Sequence, residues 1–279
     1  MARRSGRSVR SRRLAYVLRK LRAATGLSTD AAGDAVGMSG SKISRIETSG
    51  IGIYLDDLEK LLDLYDVTRA ERAELLDLAR HAEERGLLRI NNENLPEDWQ
   101  TWADFEDEAS TLLNYEPLGI PGLLQTAEYA QALIRATGHA LSEGEIDALV
   151  ASRLARRCLL SRSEPLRLHT IIEQAALERP FGEPGAHARQ IRHIADTAQM
   201  PNVTVQVIPT EASLHAGLSG PFVILEYDDD PSLILLENKI TSLFLDEYDQ
   251  IETFEMAWDA IVKLAYSVEE TAEFLKRLA

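Results

Sequence analysis

Cysteine is nearly absent from the 279 residues of this sequence, since Cys158 is the single one. One cysteine excludes an intramolecular disulfide framework, and a thiolate-rich metal site needs more cysteines. No stretch approaches the roughly 18 uninterrupted apolar residues that a membrane-spanning helix requires. The arginine-rich start is not followed by an apolar run, so it is not typical of a secretory signal. We therefore expect a cytoplasmic protein with no membrane contact.

Catalytic motifs are also missing, because the sequence has no P-loop, no dinucleotide fingerprint and no metal-ligand cluster. His169 and Glu173 are four residues apart, but they lie on a predicted strand and its exit, where this spacing shares no helical face. His187 and His193 are six apart on a predicted helix, which is a poor ligand spacing. The segment after His215 lacks the order of a nucleophile elbow. We expect no enzymatic activity, no cofactor and no metal, and we keep an enzyme as the third hypothesis.

Basic residues are concentrated at the start of the chain, although the net charge of the whole is −15. Residues 1–50 carry eleven Lys and Arg against three acids, a net charge of +8, whereas the remaining residues carry −23. A basic head on an acidic body is typical of a protein that binds a polyanion at one end. A solubilising tail without a partner is the alternative.

Apolar spacing and capping residues predict five short helices before residue 85. The first spans 12–24, because its apolar residues recur at i, i+3, i+4 and i+7. Ser28 caps a second helix over 29–36, and Gly37 supplies the tight turn that follows. Ser39 caps a third helix over 40–48, with Ile43 and Ile46 pointing inward. A fourth helix covers 55–65, and a capping box that begins at Thr68 opens a fifth.

The second and third predicted helices, joined by a turn at Gly37, resemble the helix-turn-helix of Xre/Cro-type repressors. The resemblance is carried by Leu27–Asp30, by Val36–Ser39 and above all by Ser39–Glu47. Glu47 is expected to be structural, held by a neighbouring arginine. The resemblance implies that the third helix enters the major groove of double-stranded DNA. Two departures stand out, since the family often has a glutamine at the place of Thr29 and a long base-reading side chain at the place of Gly40.

Base recognition should therefore depend on Ser41 and Arg45, since Arg can donate two hydrogen bonds to guanine. Ser39, Lys42 and Ser44 are better placed for phosphates, which fix the register rather than the sequence. The full set of candidate DNA contacts is Arg12, Arg13, Thr29, Ser39, Gly40, Ser41, Lys42, Ser44 and Arg45. An all-helical bundle that contacts only protein is the alternative.

Residues 1–11 form a basic arm without apolar pattern, which we expect to be disordered and able to follow phosphates or reach a minor groove. The helix-turn-helix domain covers 12–85, and a polar linker covers 86–98. Residues 99–279 form a mixed α+β domain for regulation and dimerisation. The fold class of the whole is α+β.

The body begins with predicted helices over 99–114, 126–137 and 142–161. Strands are predicted over 166–172, 203–208, 222–226 and 233–237, the last two joined as a hairpin. A helix over 185–199 and two closing helices over 249–265 and 268–278 complete it. Cys158 is predicted to be a buried small hydrophobe, with redox sensing as the alternative.

The body also resembles a large actinobacterial group of helix-turn-helix regulators, the WhiJ-like, antitoxin-like family. The resemblance is carried by Ile120–Thr126, Ile172–Leu177, Pro201–Pro209 and His215–Gly217. It implies a small protein partner encoded nearby. The segment 120–126, Glu173 and His215 are candidates for a pocket or partner surface, and a merely turn-shaping role for the prolines and glycines is the alternative.

Besides the enzyme, two functional hypotheses follow. The first is a sequence-specific transcriptional regulator, a repressor, that binds DNA as a homodimer and is nucleoid-associated when bound. Its C-terminal domain would dimerise and receive a signal from a small protein partner or a ligand. The second is an antitoxin-like protein whose main role is to bind a small partner, with DNA binding serving autoregulation.

Overall fold

The chain divides into two compact units in the computed structural model. The first comprises Met1–Arg89 together with Asp229–Leu233 and Phe244–Glu247, and the second comprises Ile90–Asp228, Ile234–Leu243 and Tyr248–Ala279. The structure describes residues 8–49, 53–82, 88–91, 102–103, 105–138, 141–228, 230–238 and 241–279. Most of the predicted basic arm and most of the predicted linker lie outside these ranges.

The first unit contains the helices α1 (Val9–Thr25), α2 (Thr29–Val36), α3 (Gly40–Ser49), α4 (Leu55–Leu64) and α5 (Arg69–Arg80). α2, α3 and α5 begin directly after the residues that the capping pattern predicts, Ser28, Ser39 and Thr68. Ser28 accepts from the Ala31 N–H, and Thr68 forms the expected capping box with Glu71. The apolar stripes of α1, α3, α4 and α5 meet in one core. Its buried residues are Leu14, Leu18, Ile43, Ile46, Leu58, Leu61, Leu62, Tyr65, Leu75 and Leu78.

α1 begins three residues earlier than the sequence predicts. Ser8 caps it by accepting from the Ser11 N–H, and the Val9 N–H donates to Asp246 Oδ2 at 2.6 Å. A carboxylate at a helix start satisfies orphan N–H groups and favours the positive end of the helix dipole. Asp246 belongs to a segment 237 residues away that is part of the same unit, so this extension is not visible in the local sequence.

The second unit contains most of a mixed β-sheet. Its strands are β1 (Leu88–Asn91), β2 (Thr111–Glu116), β3 (Arg167–Glu173), β4 (Val203–Ile208), β5 (Phe222–Glu226), β6 (Leu233–Glu237) and β7 (Thr241–Leu245). Among the described residues the strand order is β1-β7-β6-β5-β2-β3-β4. β2 pairs parallel with β3 and antiparallel with β5, and β3 pairs parallel with β4. The register places Tyr115 opposite Ile171 and Phe222.

The helices of the second unit are α6 (Ala127–Thr137), α7 (Glu143–Ala155), α8 (Gln174–Glu178), α9 (Ala186–Thr197), α10 (Tyr248–Val262) and α11 (Val268–Leu278). Thr126 caps α6, and capping boxes open α7 at Ser142 and α11 at Ser267, so the three helices begin within one residue of their predicted starts. The α+β fold class is confirmed, because a helical first unit is followed by a mixed sheet with helices. No helix in the described part of the chain is both long and apolar enough to cross a membrane.

The predicted helix over 99–114 is wrong beyond residue 108. Residues 105–108 are helical, but Thr111–Glu116 is an interior strand of the sheet. The spacing of Phe105, Ala109 and Leu112 fits one face of a helix, although Leu112 belongs to a strand. Short apolar runs do not distinguish the helical period of about 3.6 residues from the strand period of about 2. β1, inside the predicted linker, and β7 are strands that the sequence analysis did not predict.

The prediction that Cys158 is buried is also wrong. α7 ends at Ala155, and a 3-10 turn over Arg156–Leu160 follows. This change of period buries Leu159 and Leu160 and leaves Cys158 exposed.

Candidate functional site

The turn between α2 and α3 depends on two residues with special backbone roles. Gly37 ends α2 with φ of 72°, a left-handed conformation that favours glycine. The Met38 N–H then donates to the Gly33 carbonyl at 2.8 Å, which folds the chain back on α2. Ser39 begins the next helix, where the Lys42 N–H donates to its Oγ at 3.2 Å. The turn is thereby fixed at both ends.

Gly33 and Gly40 allow α2 and α3 to approach closely. A Cβ atom at Gly33 would lie 2.6 Å from the Met38 carbonyl oxygen. A Cβ atom at Gly40 would overlap the Asp30 carboxylate and lie 2.9 Å from the Asp30 Cα. The departure at Gly40 thus has a steric reason, because α2 occupies the space that a long side chain would need. Gly40 can offer a ligand only its backbone.

The outer face of α3 carries small polar side chains and one long cation. Ile43 and Ile46 are 0% and 1% exposed, whereas Ser41, Ser44 and Arg45 are exposed. This separation is the one that the spacing of the isoleucines predicts. Ser39 is also exposed, and its hydroxyl lies 3.1 Å from the hydroxyl of Ser41. Thr29, at the start of α2, is half-buried.

Lys42 has an intramolecular partner on α4. Its Nζ lies 2.5 Å from Asp57 Oδ2 and 5.9 Å from the centre of the Tyr54 ring. The Lys42 ammonium holds the pKa of Asp57 below its ordinary value. Tyr54 itself is 75% exposed, beside the start of α4. Sequence analysis did not single out Asp57 or Tyr54, since only the fold brings them to Lys42.

Arg22 and Glu47 tie the end of α1 to α3. The Arg22 guanidinium donates two hydrogen bonds to the Glu47 carboxylate at 2.7 and 2.8 Å, and a third to the Leu27 carbonyl at 2.6 Å. Glu47 is 6% exposed. Hydrogen bonding to this carboxylate raises the pKa of Arg22. The expectation that a neighbouring arginine holds Glu47 is confirmed.

The two arginines at the start of α1 differ from the candidate contacts on α3. Arg12 is 3% exposed, and its Nη1 donates to the Pro231 carbonyl at 3.1 Å. Arg13 is half-buried. Because Arg12 is buried and hydrogen-bonded to Pro231, its guanidinium is not exposed for a contact with DNA, and we do not assign it one.

Glu173 and His215, two candidates in the body, lie together. Glu173 Oε1 accepts from the Tyr115 hydroxyl at 2.8 Å and lies 3.3 Å from His215 Nε2. Burial and this hydrogen bond raise the pKa of Tyr115. Gly217 lies flat against the same ring, since a Cβ atom there would be 2.6 Å from Tyr115 Cε1. The cluster fastens the segment before β5 to the ends of β2 and β3.

The segment 120–126, the third candidate in the body, is held by hydrogen bonds within itself and to α6 and α9. The Ile120 N–H donates to the Tyr129 hydroxyl at 3.0 Å, and Gln125 Nε2 donates to the Ile120 carbonyl at 2.7 Å. Gln190 of α9 accepts from the Thr126 N–H and donates to the Leu124 carbonyl, at 2.8 and 2.7 Å. The segment is shaped as a turn, and one of its sides faces a cavity of the second unit.

Comparison with known proteins assigns both parts of the chain. Residues 13–75 match the model of a helix-turn-helix domain, so the first unit is of that class. Residues 99–277 match the model of a domain of unknown function, DUF5753. Because this match spans more than half of the sequence, the protein belongs to the DUF5753 family.

None of the curated proteins matches the chain. Among solved structures, it is similar to TrmBL2, an archaeal chromatin protein described as showing a novel mode of DNA binding. That alignment covers 90% of this chain and 91% of the other, at 13% identity and a TM-score of 0.30.

Proposed function

We propose that this protein is a sequence-specific, DNA-binding transcriptional repressor of the Xre/Cro type, with α3 as the helix that enters the major groove. The observation that carries the proposal is the division of α3 into two faces. Ile43 and Ile46 anchor the helix in the core, while Ser41, Ser44 and Arg45 remain outside. The major groove of B-DNA is wide enough to admit such a helix, and its base edges can be read by side chains of this kind.

Arg45 is the residue to which we assign base recognition. A guanidinium can donate to guanine O6 and N7 at once, which discriminates that base from the other three. Ser39, Ser44 and Lys42 are assigned to phosphates, which position the helix without reading sequence. For Lys42 this role requires exchange of Asp57 for a phosphate, because the ammonium already has a partner in the free protein.

The protein would bind as a homodimer on a near-palindromic site. One short helix offers few contacts, and symmetric pairing of two copies doubles them. The second unit would then dimerise and receive a signal from a small protein partner or a ligand, and the signal would change the affinity for DNA.

Substitution of Arg45 by Ala tests the assignment. We expect Arg45→Ala to cost about 1–3 kcal/mol on the specific site and to relax its sequence preference. Lys42→Ala should weaken binding to all DNA alike and reduce the salt slope by about one. Arg69→Ala, which removes an exposed arginine of α5, is the matched control for lost charge. Mobility-shift titrations on operator and random DNA would refute the role of Arg45 if both affinities fell equally.

A second candidate function is an antitoxin-like role in binding a small partner protein. Exposed apolar side chains favour it, since Leu214, Leu218 and Met256 are 91%, 59% and 67% exposed. The 3-10 turn that contains Leu218 packs against α10, which carries Met256 beside Glu252, Glu255 and Asp259. This surface suits a basic partner with apolar side chains. Co-expression with the neighbouring small gene product and gel filtration test it, and separate elution would count against it.

A further inference from the structure

The second unit contains a cavity of about 1110 Å³. Its floor is the sheet face formed by β2, β5 and β6, and its walls are α6, α7 and the segment 118–125. Small-molecule sites typically measure about 300–1,000 Å³, so this cavity has room for a ligand of drug size or larger. All of its lining residues belong to the second unit.

Two polar residues of an interior strand face this cavity. Side chains alternate along a strand, so Leu112, Asn114 and Glu116 of β2 share one face, opposite that of Tyr115. Asn114 is 8% exposed, and its amide lies 3.5 Å from the carbonyl of the next residue, at the limit of a hydrogen bond. A polar side chain at such a position lowers stability unless it has a hydrogen-bond partner, because an unsatisfied buried amide costs about 1–3 kcal/mol.

Glu116 extends the polar floor toward the segment 118–125. Its carboxylate accepts from the Leu118 N–H at 3.2 Å. Burial raises the pKa of Glu116, and the backbone N–H groups of Leu118 and Gly119 oppose this shift. The half-buried carboxylate is therefore an acceptor in partly dehydrated surroundings.

Arginines also line this cavity. Arg153 of α7 donates to Gln125 Oε1 at 3.0 Å, and burial lowers its pKa to about 10. Arg156 is neutralised by the Glu106 carboxylate, to which it donates at 2.6 and 2.7 Å, and it lies 5.2 Å from the centre of the Trp102 ring. The remainder of the wall is largely apolar and includes Leu118, Ile120, Leu133, Leu141, Leu149 and Phe181.

We propose that this cavity binds a neutral amphipathic organic molecule, whose hydroxyl, carbonyl or amide groups meet Asn114, Glu116 and Arg153 and whose apolar part contacts the leucine-lined wall. A ligand of net charge would meet a like charge, because carboxylates and guanidinium groups both line the cavity. A neutral polar group can donate to Glu116 and accept from Arg153 at once. This ligand class would be the signal that the second unit receives. Binding itself does not depend on the proposed function, but its role in regulating DNA binding does.

Calorimetry of the full chain without DNA tests the site. Three probes share an octyl chain and differ in head group: octyl β-D-glucoside, octanoate and octylamine, each below its micellar concentration. We expect the glucoside to bind with one molecule per chain and at least about tenfold more tightly than either charged probe, a difference of about 1.4 kcal/mol. Tighter binding of octanoate or octylamine would overturn the ligand class, and no saturable binding of any probe would overturn the site.

Three variants place the binding in the cavity. Ala132→Trp puts an indole into the wall formed by α6, and we expect it to weaken glucoside binding at least tenfold. Leu118→Arg changes a residue that is 66% exposed at the rim, so it should fold normally and weaken binding as well. Ala151→Trp, on the exposed side of α7, is the control and should bind as the unmodified chain does. Unchanged affinity in folded Leu118→Arg protein would overturn the proposal. Because no DNA is present, its failure is distinguishable from a failure of DNA binding.

Discussion

The Lys42 ammonium lies 2.5 Å from the Asp57 carboxylate, so the one lysine of α3 is neutralised by α4 in the free protein. A partly exposed ion pair of this kind is worth less than about 1 kcal/mol, so a phosphate can replace the carboxylate. DNA binding by Lys42 must then include separation of this pair. The carboxylate that is left behind repels the phosphate.

Removal of this competing carboxylate should strengthen binding to any DNA. We expect Asp57→Asn to raise the affinity for random DNA by about three- to tenfold and to steepen its salt dependence by about one. Glu59→Gln, which removes an exposed acid from the same helix, is the control for net charge. Fluorescence anisotropy at several salt concentrations measures both. If the double variant Asp57→Asn with Lys42→Ala kept the gain in affinity, release of Lys42 would not be its cause.

Substitution of Gly40 should loosen the contact between α2 and α3. A methyl group there meets the Asp30 Cα as well as its carboxylate, and overpacking of this kind costs about 1–3 kcal/mol. This exceeds the gain of up to about 1 kcal/mol from replacing Gly by Ala in a helix. We therefore expect Gly40→Ala to lower the free energy of unfolding in urea. Gly144→Ala in α7 meets no atom within 4 Å and should raise it. Equal effects of the two substitutions would contradict this account of Gly40.

The Arg22–Glu47 pair should contribute strongly to the first unit. Loss of one partner leaves a charge in a site that excludes water, and such losses cost about 3–5 kcal/mol. We expect Glu47→Ala to unfold the helices of this unit at lower urea, as followed by circular dichroism. The double variant Arg22→Met with Glu47→Leu should recover most of the loss, because apolar replacements of a buried pair are often neutral. A double variant as unstable as Glu47→Ala would show that hydrogen bonds of Arg22, including that to Leu27, dominate.

Glu116 should make stability depend on pH. Its pKa in the folded chain lies above the ordinary value of 4.5, so the unfolded chain ionises first as pH rises. The carboxylic acid form therefore stabilises the fold below pH 4.5, and this contribution is lost as pH rises through the folded pKa. We expect Glu116→Gln to raise Tm at pH 7.5 and to raise it much less at pH 4. Glu183→Gln, at an exposed position, should change neither value. A gain of equal size at both pH values would exclude ionisation as the cause.

The sequence predicts the helices of the first unit well because their signals are local. Ser28, Ser39 and Thr68 stand where helices begin, and Gly37 has the backbone conformation that its turn requires. The contacts that modify this surface are not local. Asp57 meets Lys42 across 15 residues, and the steric role of Gly40 depends on Asp30 of another helix. Spacing alone therefore identifies the outward face of α3 but not the partner of its lysine.

In the second unit, local sequence signals reveal still less of the structure. β4 is predicted within its true bounds, because Val203–Ile208 alternates and is flanked by turn residues. β2 is missed, because Asn114 and Glu116 break the apolar pattern that an interior strand usually has. Its place between β3 and β5 follows from pairing with residues 56 and more positions away. The polar residues that obscure the strand are the same ones that line the cavity.

The first unit takes Pro231 and Asp246 from chain that lies more than 200 residues beyond α1. A fragment that ends at residue 89 would therefore lose the acceptor for Arg12 and the carboxylate at the start of α1. The helix-turn-helix unit is therefore not complete in its first 89 residues. In a fusion of these residues to another protein, we expect the start of α1 to be frayed. A shortened protein that keeps only the first unit has to include the loops before β6 and after β7.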